Sequence, residues 1–194
     1  MEFKSQAGQD QWVCRMLGNK TNGYFIDIGA HDGISLSNTY TLEKEFEWTG
    51  ICVEPAVNPF SSLFRNRECI CTNIALWDSD CVINFLEYQG DSFAGHIAGE
   101  GSYYVCAMTF GKLLKEFKVP TEIDYISLDI EGGELEVIKT FPFDSYNVKL
   151  WTIEHSSFND QGKAREKIQR FMSRHGYKMT LAERRGHDEG FYYK

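Results

Sequence analysis

Tyr24-Phe-Ile-Asp-Ile-Gly-Ala-His-Asp-Gly33, followed by Ile51-Cys-Val-Glu-Pro55, decides how this chain folds. A short apolar run ends in an acid and a glycine turn, and about one βα unit later a second apolar run ends in Glu54. This is the layout of a nucleoside-type site at the carboxyl end of a parallel sheet. The glycine turn lets a ligand approach the backbone, and the acid after the second strand accepts hydrogen bonds from ribose hydroxyls. A pyrophosphate cradle calls for Gly-x-Gly-x-x-Gly, whereas this turn carries only Gly29 and Gly33, with His31 and Asp32 between them. Asp27 and Asp32 set negative charge against a pyrophosphate and suit a cationic, phosphate-free ligand that still carries a ribose. S-adenosylmethionine (SAM) is the commonest ligand of that description.

The 194 residues fit one domain, 1–194, with 1–22 as an N-terminal helical cap and 77–110 as an inserted hairpin and loop. Apolar residues at 42% and aromatics at 14% place it among globular rather than disordered chains. No apolar run approaches the ~20 residues of a bilayer span. Met1-Glu-Phe-Lys-Ser lacks the basic and apolar regions of a signal peptide, so a cytoplasmic location is expected. None of the six cysteines shows Cys-x-x-Cys spacing. Cys52 lies inside an apolar strand, and Cys69 and Cys71 alternate along another, which reads as reduced core thiols. A net charge of −8 weighs against a nucleic-acid substrate.

The periodicity predicts a short helix through Val13, Met16 and Leu17 closed by Gly18-Asn19, then a strand over Tyr24–Ile28 and a helix from Ser37 to Phe46. Strand two covers Gly50–Val53, Asn58-Pro59 opens a helix as cap and first-turn residue, and strand three covers Cys69–Ile74. Two alternating runs, Val82–Glu87 and Tyr103–Met108, pair as a hairpin around the loop Gly90–Gly101. A helix near Phe110–Phe117 leads to strand four, Tyr125–Asp129, and a helix over Glu134–Thr140 stops at Pro142. Strand five is Val148–Ile153. Asn159 or Asp160 caps a helix through Ile168, Phe171 and Met172 that Gly176 ends. Tyr177–Leu181 and Gly190–Tyr193 close the sheet as an antiparallel pair. The expected fold class is an α/β single domain with a mostly parallel sheet.

Four constellations carry chemistry. Asp27, Gly29, Asp32 and Gly33 shape the first turn, and Glu54 follows at the ribose position. Asp129-Ile-Glu-Gly-Gly-Glu134 ends strand four in an acid, a second acid and two glycines that open a helix. That puts Asp129 and Glu131 beside the ligand crevice, next to strand one. Trp151-Thr-Ile-Glu-His155 ends strand five in Glu154 and His155. Two roles stay open for His155. It is a general base for an acceptor hydroxyl, or a ligand with Asp129 and Glu154 of a divalent cation that lowers the pKa of that hydroxyl. An acid on strand four with two polar neighbours on strand five resembles the metal site of catechol O-methyltransferases. A histidine there favours Mn²⁺ over Mg²⁺, or leaves the metal unneeded. The basic stretch Lys163, Arg165, Lys167, Arg170, Arg174, Lys178, Arg184 and Arg185 reads as a solvated face, with contact to an anionic acceptor as the alternative.

The chain resembles the FkbM family of SAM-dependent methyltransferases. The resemblance is carried by Ser5-Gln-Ala-Gly-Gln-Asp10, Phe25–Gly33, Ser37-Asn-Thr39, Ile51–Pro55, Asn73-Ile-Ala-Leu76, Ile126–Glu134 and Asp188-Glu-Gly-Phe-Tyr-Tyr193. It implies the seven-stranded class I methyltransferase fold, with an antiparallel terminal strand, and transfer to oxygen on sugars or natural products. By matching position, Asp27, Gly29, Ala30, Asp32, Glu54, Pro55 and Asp129 would line the SAM site. Asn73, Ala75 and Leu76 would lie near the adenine, and Gln6, Gln9 and Asn38 near the methionine end. Glu131, His155 and Asp129 would be the acid–base or acceptor-orienting groups, and Asp129, Glu154 and His155 the metal ligands. The Gly90–Gly101 loop and the N-terminal segment would grip a small-molecule or glycan acceptor. RNA as acceptor and a SAM-binding module without turnover are the alternative readings.

Overall fold

The computed structural model describes residues 2–87, 95–97, 103–155, 163–180 and 188–193. Along the chain come α1 (Gln9–Met16), β1 (Tyr24–Ile28), α2 (Tyr40–Phe46), β2 (Thr49–Val53), α3 (Val57–Asn66) and β3 (Ile70–Thr72). Then follow β4 (Ala75–Leu76), β5 (Cys81–Glu87), β6 (Gly95–Ile97), β7 (Tyr103–Met108) and α4 (Phe110–Glu116). The last elements are β8 (Glu122–Leu128), α5 (Glu134–Ile138), β9 (Asn147–Glu154), α6 (Lys163–Arg174), β10 (Tyr177–Thr180) and β11 (Asp188–Tyr193). Seven strands form one sheet in the order β10-β11-β9-β8-β1-β2-β3. Its pairs are parallel except at β11, which runs antiparallel to both neighbours. This is the expected α/β class, and among the described residues no helix is long and apolar enough to cross a membrane.

The central strands are buried on both faces, and for that reason β1 and β8 read as near-continuous apolar runs. One face carries Ile26, Ile28, Ile51, Val53, Ile126, Leu128, Trp151 and Ile153 against Leu113 and Leu114 of α4, Val137 and Ile138 of α5, and Ile168 and Met172 of α6. The other face meets Trp12 and Val13 of α1, Leu42 and Phe46 of α2, and Leu63 of α3. On this second face an apolar row, Phe25, Tyr125 and Leu150, is followed one pleat nearer the carboxyl ends by a polar one. The register sets Cys71, Cys52, Asp27, Ser127 and Thr152 side by side across five strands. That row lies directly beneath the site.

Local differences from the sequence reading have identifiable causes. The helix expected from Ser37 begins at Tyr40, because the Ser37 hydroxyl accepts the backbone N–H groups of Thr39 (3.3 Å) and Tyr40 (3.1 Å) and holds the chain in a turn. Asn58 is not the cap of α3. The helix starts at Val57, and its leading N–H groups go to the Glu54 carboxylate (Ala56, 2.8 Å) and the Tyr103 hydroxyl (Val57, 3.0 Å). Strand three is shorter than expected, and the chain leaves it for a second sheet. The predicted pair is present as β5 and β7, extended by β4 and β6 into the order β4-β7-β5-β6. Most of the Gly90–Gly101 loop and the Asn159 and Asp160 caps lie outside the described residues.

At the amino end of the sheet, Asp124 accepts from Lys20 (2.7 Å), Lys149 (2.7 Å) and the Tyr24 N–H (3.0 Å). Burial opposes its ionisation, but these donors hold the carboxyl below its ordinary value. A depressed carboxylate stabilises the fold above its unfolded pKa of about 3.9 and loses that contribution as pH falls through the folded value. Asp124→Asn is therefore expected to lower stability at pH 7 by roughly 1.5–3 kcal/mol. In urea unfolding the gap from the parent chain should narrow at pH 3.

Candidate functional site

The carboxyl ends of β1, β2 and β8 are knitted together by backbone. Gly29 and Ala30 both donate to the Val53 carbonyl, at 2.9 and 3.1 Å, and Asp129 donates to Ile28 at 3.0 Å. Gly29 sits at φ 86°, and a Cβ there would lie 1.7 Å from the Asp129 carbonyl oxygen. The close approach that this glycine permits is thus between two protein loops. His31 (φ 48°) and Glu131 (φ 58°) hold left-handed conformations on those two loops. Non-glycine residues rarely take that conformation and cluster at functional turns when they do.

Glu54 is buried, and its two oxygens accept the N–H groups of His31 and Ala56, each at 2.8 Å. Its carboxylate therefore stands between the β1 turn and the start of α3. The Asn73 amide donates to the carbonyls of Glu54 (2.8 Å) and Pro55 (3.0 Å), fixing the loop after β2. Ala75 and Leu76 are buried in β4. Asp32 accepts from the N–H groups of Ile34 (2.9 Å) and Ser35 (2.7 Å) and from the Ser35 hydroxyl (2.7 Å). Against some burial, these donors hold its carboxyl below the usual range, and its charge shapes its own turn.

Asp27 points into the protein. It accepts from the Thr39 hydroxyl at 2.5 Å, and burial pushes its carboxyl up despite the nearby Arg67 charge. Arg67, whose side chain is 0% exposed, binds the Glu43 carboxylate (2.5 Å), the Gly33 carbonyl (3.2 Å), Ser37 (3.4 Å) and Thr39 (3.0 Å). Burial opposes both charges of the Arg67–Glu43 pair. The pairing nevertheless holds Glu43 below its usual value, and Arg67 is held above its own by the neighbouring Cys52 and Cys69 first and by Glu43 after them. On the intervening loop, the Asn38 amide donates to Ser127 at 2.9 Å, while its buried Oδ1 has no hydrogen-bond partner among the described residues. An unmet buried acceptor costs about 1–3 kcal/mol, which a ligand donor would recover.

The N-terminal segment lies against this loop through a Ser5–Leu36 bridge. Buried Asp10 accepts from Lys4 N–H (2.8 Å), the Ser5 hydroxyl (2.5 Å) and the Thr41 hydroxyl (3.1 Å). Gln9 is buried and accepts from Ala7 N–H at 2.9 Å, whereas Gln6 is exposed.

On the facing side, carboxylate oxygens of Asp129, Glu131 and Glu154 lie within 4.8 Å of one another. Asp129 and Glu154 are half-buried and Glu131 is exposed, so the group opens to solvent. The sequence reading joined Asp129 and Glu154 to His155. In the structure Glu131 is the third member, and His155, which follows β9 directly, is buried and outside the group. An all-oxygen donor set of this kind can accept an acceptor's hydroxyl proton or hold a hard cation. Glu134 folds back to accept from Gly132 N–H at 2.8 Å, with burial pushing its own carboxyl up.

Arg67, Glu43 and Ser127 are the residues that sequence reasoning passed over. A basic residue after a helix looks like surface, and only the gathering of Ser37, Thr39 and Glu43 shortly after the glycine turn hints that a buried cation is needed there.

A family model described as the methyltransferase FkbM domain matches residues 27–179. Among solved structures, the chain is similar to the methyltransferase FkbM of Methylobacillus flagellatus (TM-score 0.59, 12% identity, 88% of this chain and 44% of that one). It is also similar to the N-terminal domain of human METTL16 (TM-score 0.52, 17% identity, 95% and 67%). A third similar structure is M. capricolum TrmK in complex with S-adenosyl-homocysteine (TM-score 0.50, 11% identity, 95% and 66%). The chain thus spans less than half the length of the Methylobacillus protein. At these identities the likeness establishes the fold alone. No curated protein matches the chain in sequence.

Replacing Arg67 with Met removes the buried guanidinium and leaves the Glu43 carboxylate only the partly exposed Lys44 ammonium at 3.2 Å. Breaking a buried pair in this way is expected to cost about 3–5 kcal/mol, measurable by urea unfolding at pH 7.

Proposed function

The chain belongs to the methyltransferase FkbM family, and we propose that it is a SAM-dependent O-methyltransferase acting on a sugar or other small hydroxylated acceptor. The observation that carries this reading is the meeting of Asp129, Glu131 and Glu154 at the ends of β8 and β9. Carboxylates so placed, beside the Gly29–Asp129 contact, are suited to receive a hydroxyl proton.

The residues present fit SAM. The unpartnered Asn38 Oδ1 is a buried acceptor suited to the ligand's ammonium. Glu54 would take the ribose hydroxyls, and Asn73, Ala75 and Leu76 would flank the adenine. Gln9 and Gln6 lie on the segment that covers the Asn38 loop. When bound, SAM supplies a methyl group made electrophilic by a positively charged sulfur. The chain's own part is orientation and proton transfer. Thr39, held by Asp27 and Arg67, fixes the loop carrying Asn38. The exposed carboxylate of Glu131, flanked by Asp129 and Glu154, aligns the acceptor and takes its proton as the hydroxyl oxygen gains a methyl group. Most of the acceleration then comes from positioning.

The exposed cations Lys163, Lys167, Arg170, Arg174 and Lys178 favour a second reading, an anionic acceptor such as RNA. Acceptor binding that falls steeply between low and moderate salt would select it.

Calorimetric titration with SAM is expected to show saturable one-site binding, weakened about ten-fold in Asn38→Ala. No heat with the parent chain would overturn the cofactor assignment. Glu131→Gln is expected to keep SAM affinity and to lower methyl transfer to a panel of sugars and small hydroxylated acceptors by about 10²–10⁴-fold. Transfer by the parent chain that survives chelation assigns the acids to the proton. Transfer restored only by Mg²⁺ or Mn²⁺ assigns them to a cation.

A further inference from the structure

Three cysteines meet at the β2–β3 edge of the polar row beneath the site. Cys52 of β2 and Cys71 of β3 are register partners, and Cys69, two residues before Cys71, presents its sulfur to the same face. The Cys69 and Cys52 sulfurs are 3.5 Å apart. A disulfide bond is about 2.05 Å long, so the sulfurs must approach by roughly 1.5 Å, and because Cys69 lies two residues out of register with Cys52 the backbone at residue 69 must move with them. Cys52 is fully buried, whereas Cys69 is partly exposed. One sulfur is therefore within reach of a small oxidant, and the other is placed to resolve the product.

The electrostatics around the pair are asymmetric. Contacts with the Cys52 and Cys71 thiols, with the Arg67 charge beyond them and burial opposing, pull the Cys69 thiol well below its ordinary value. Burial first, then the Cys69 contact, pushes Cys52 up. A partly exposed thiol of lowered pKa beside a buried thiol of raised pKa suits an attacking and a resolving cysteine.

We propose that Cys69 and Cys52 form a peroxide-oxidisable pair whose closure loosens the loop carrying Asn38. The Cys69 thiolate attacks one oxygen of hydrogen peroxide. The O–O bond breaks, and the departing hydroxide is protonated to water, leaving a sulfenic acid on Cys69. The Cys52 sulfur then bonds to the Cys69 sulfur, and the hydroxyl leaves with the Cys52 proton as a second water. Two thiols and one peroxide thus become one disulfide and two waters. The new bond draws residue 69, and with it the chain that carries Arg67 two residues earlier, toward β2. Arg67 is the same guanidinium that binds Thr39, Ser37 and the Gly33 carbonyl. The covalent step stands independently of the methyltransferase reading, whereas its effect on SAM affinity rests on that reading.

The test is peroxide treatment of the whole chain, followed by alkylation, peptide mapping and SAM titration. The expected product has lost two hydrogens by mass, links Cys52 to Cys69, reverts with dithiothreitol and binds SAM about five-fold more weakly. Cys69→Ser is expected to bind SAM as the untreated parent does and to be indifferent to peroxide. A Cys71→Ser variant should still form the link. A bond from Cys69 to Cys71, or Cys52 still free to alkylate after denaturation, would overturn the pairing. A clean Cys52–Cys69 disulfide with unchanged SAM affinity would overturn the coupling. Absence of SAM binding before any oxidation would count against the cofactor assignment instead.

Discussion

A guanidinium sealed from water holds the ligand end of this molecule together. Arg67 leaves α3 at its carboxyl end and reaches the Gly33 carbonyl, Ser37, Thr39 and Glu43, so one side chain ties α3 to α2 and to the turn after β1. Burying it is costly, and the cost is recovered only because several acceptors converge and Glu43 brings the opposite charge. A lysine offers a point charge in place of a planar fork, and it could not hold acceptors that lie in different directions. Phe25 and Tyr40 rings flank the same group at 5.4 and 5.9 Å, adding attraction from their faces while excluding water.

That anchor explains a division of labour across the strand ends. On the α2–α3 side, the acids Asp27, Asp32 and Glu43 are consumed in building the loop, each paired within the protein. On the β8–β9 side, Asp129, Glu131 and Glu154 converge where solvent reaches them. The two sides meet where Gly29 abuts the Asp129 carbonyl, a contact too close for any side chain. A joint of this kind holds the facing carboxylates in place before any ligand arrives, as the proposed positioning catalysis would require.

Much of the architecture was legible because burial on both faces leaves long apolar runs, and such runs closed by glycine or acid mark parallel strands. The bounds of β1 agree with the sequence reading to the residue, and the mostly parallel character of the sheet follows from alternating strands and helices. Less was legible wherever a side chain crosses between elements. Ser37 shortens α2 by taking backbone donors, and Glu54 and Tyr103 supply the start of α3 from other parts of the chain. Asn38 reaches Ser127 over 89 residues of sequence. Spacing within a segment carries no record of such partners. Glu131 was weighed beside Asp129 from the motif, but its grouping with Glu154 depends on how β8 and β9 lie side by side.

The sheet order also governs how the chain can be assembled as it is synthesised. Tyr24 and Asp124, hydrogen-bonded neighbours at the heart of the sheet, are 100 residues apart in sequence. Until β8 has emerged, β1 has β2 on one side and an open apolar edge on the other, the kind of edge that other chains adhere to. The final strand has the opposite effect. Because β11 lies between β9 and β10, a chain cut short before it leaves β10 with no strand to pair with and unroofs the edge of β9. An early stop near the carboxyl terminus would therefore strip two strands from the sheet, though it deletes the residues of only one.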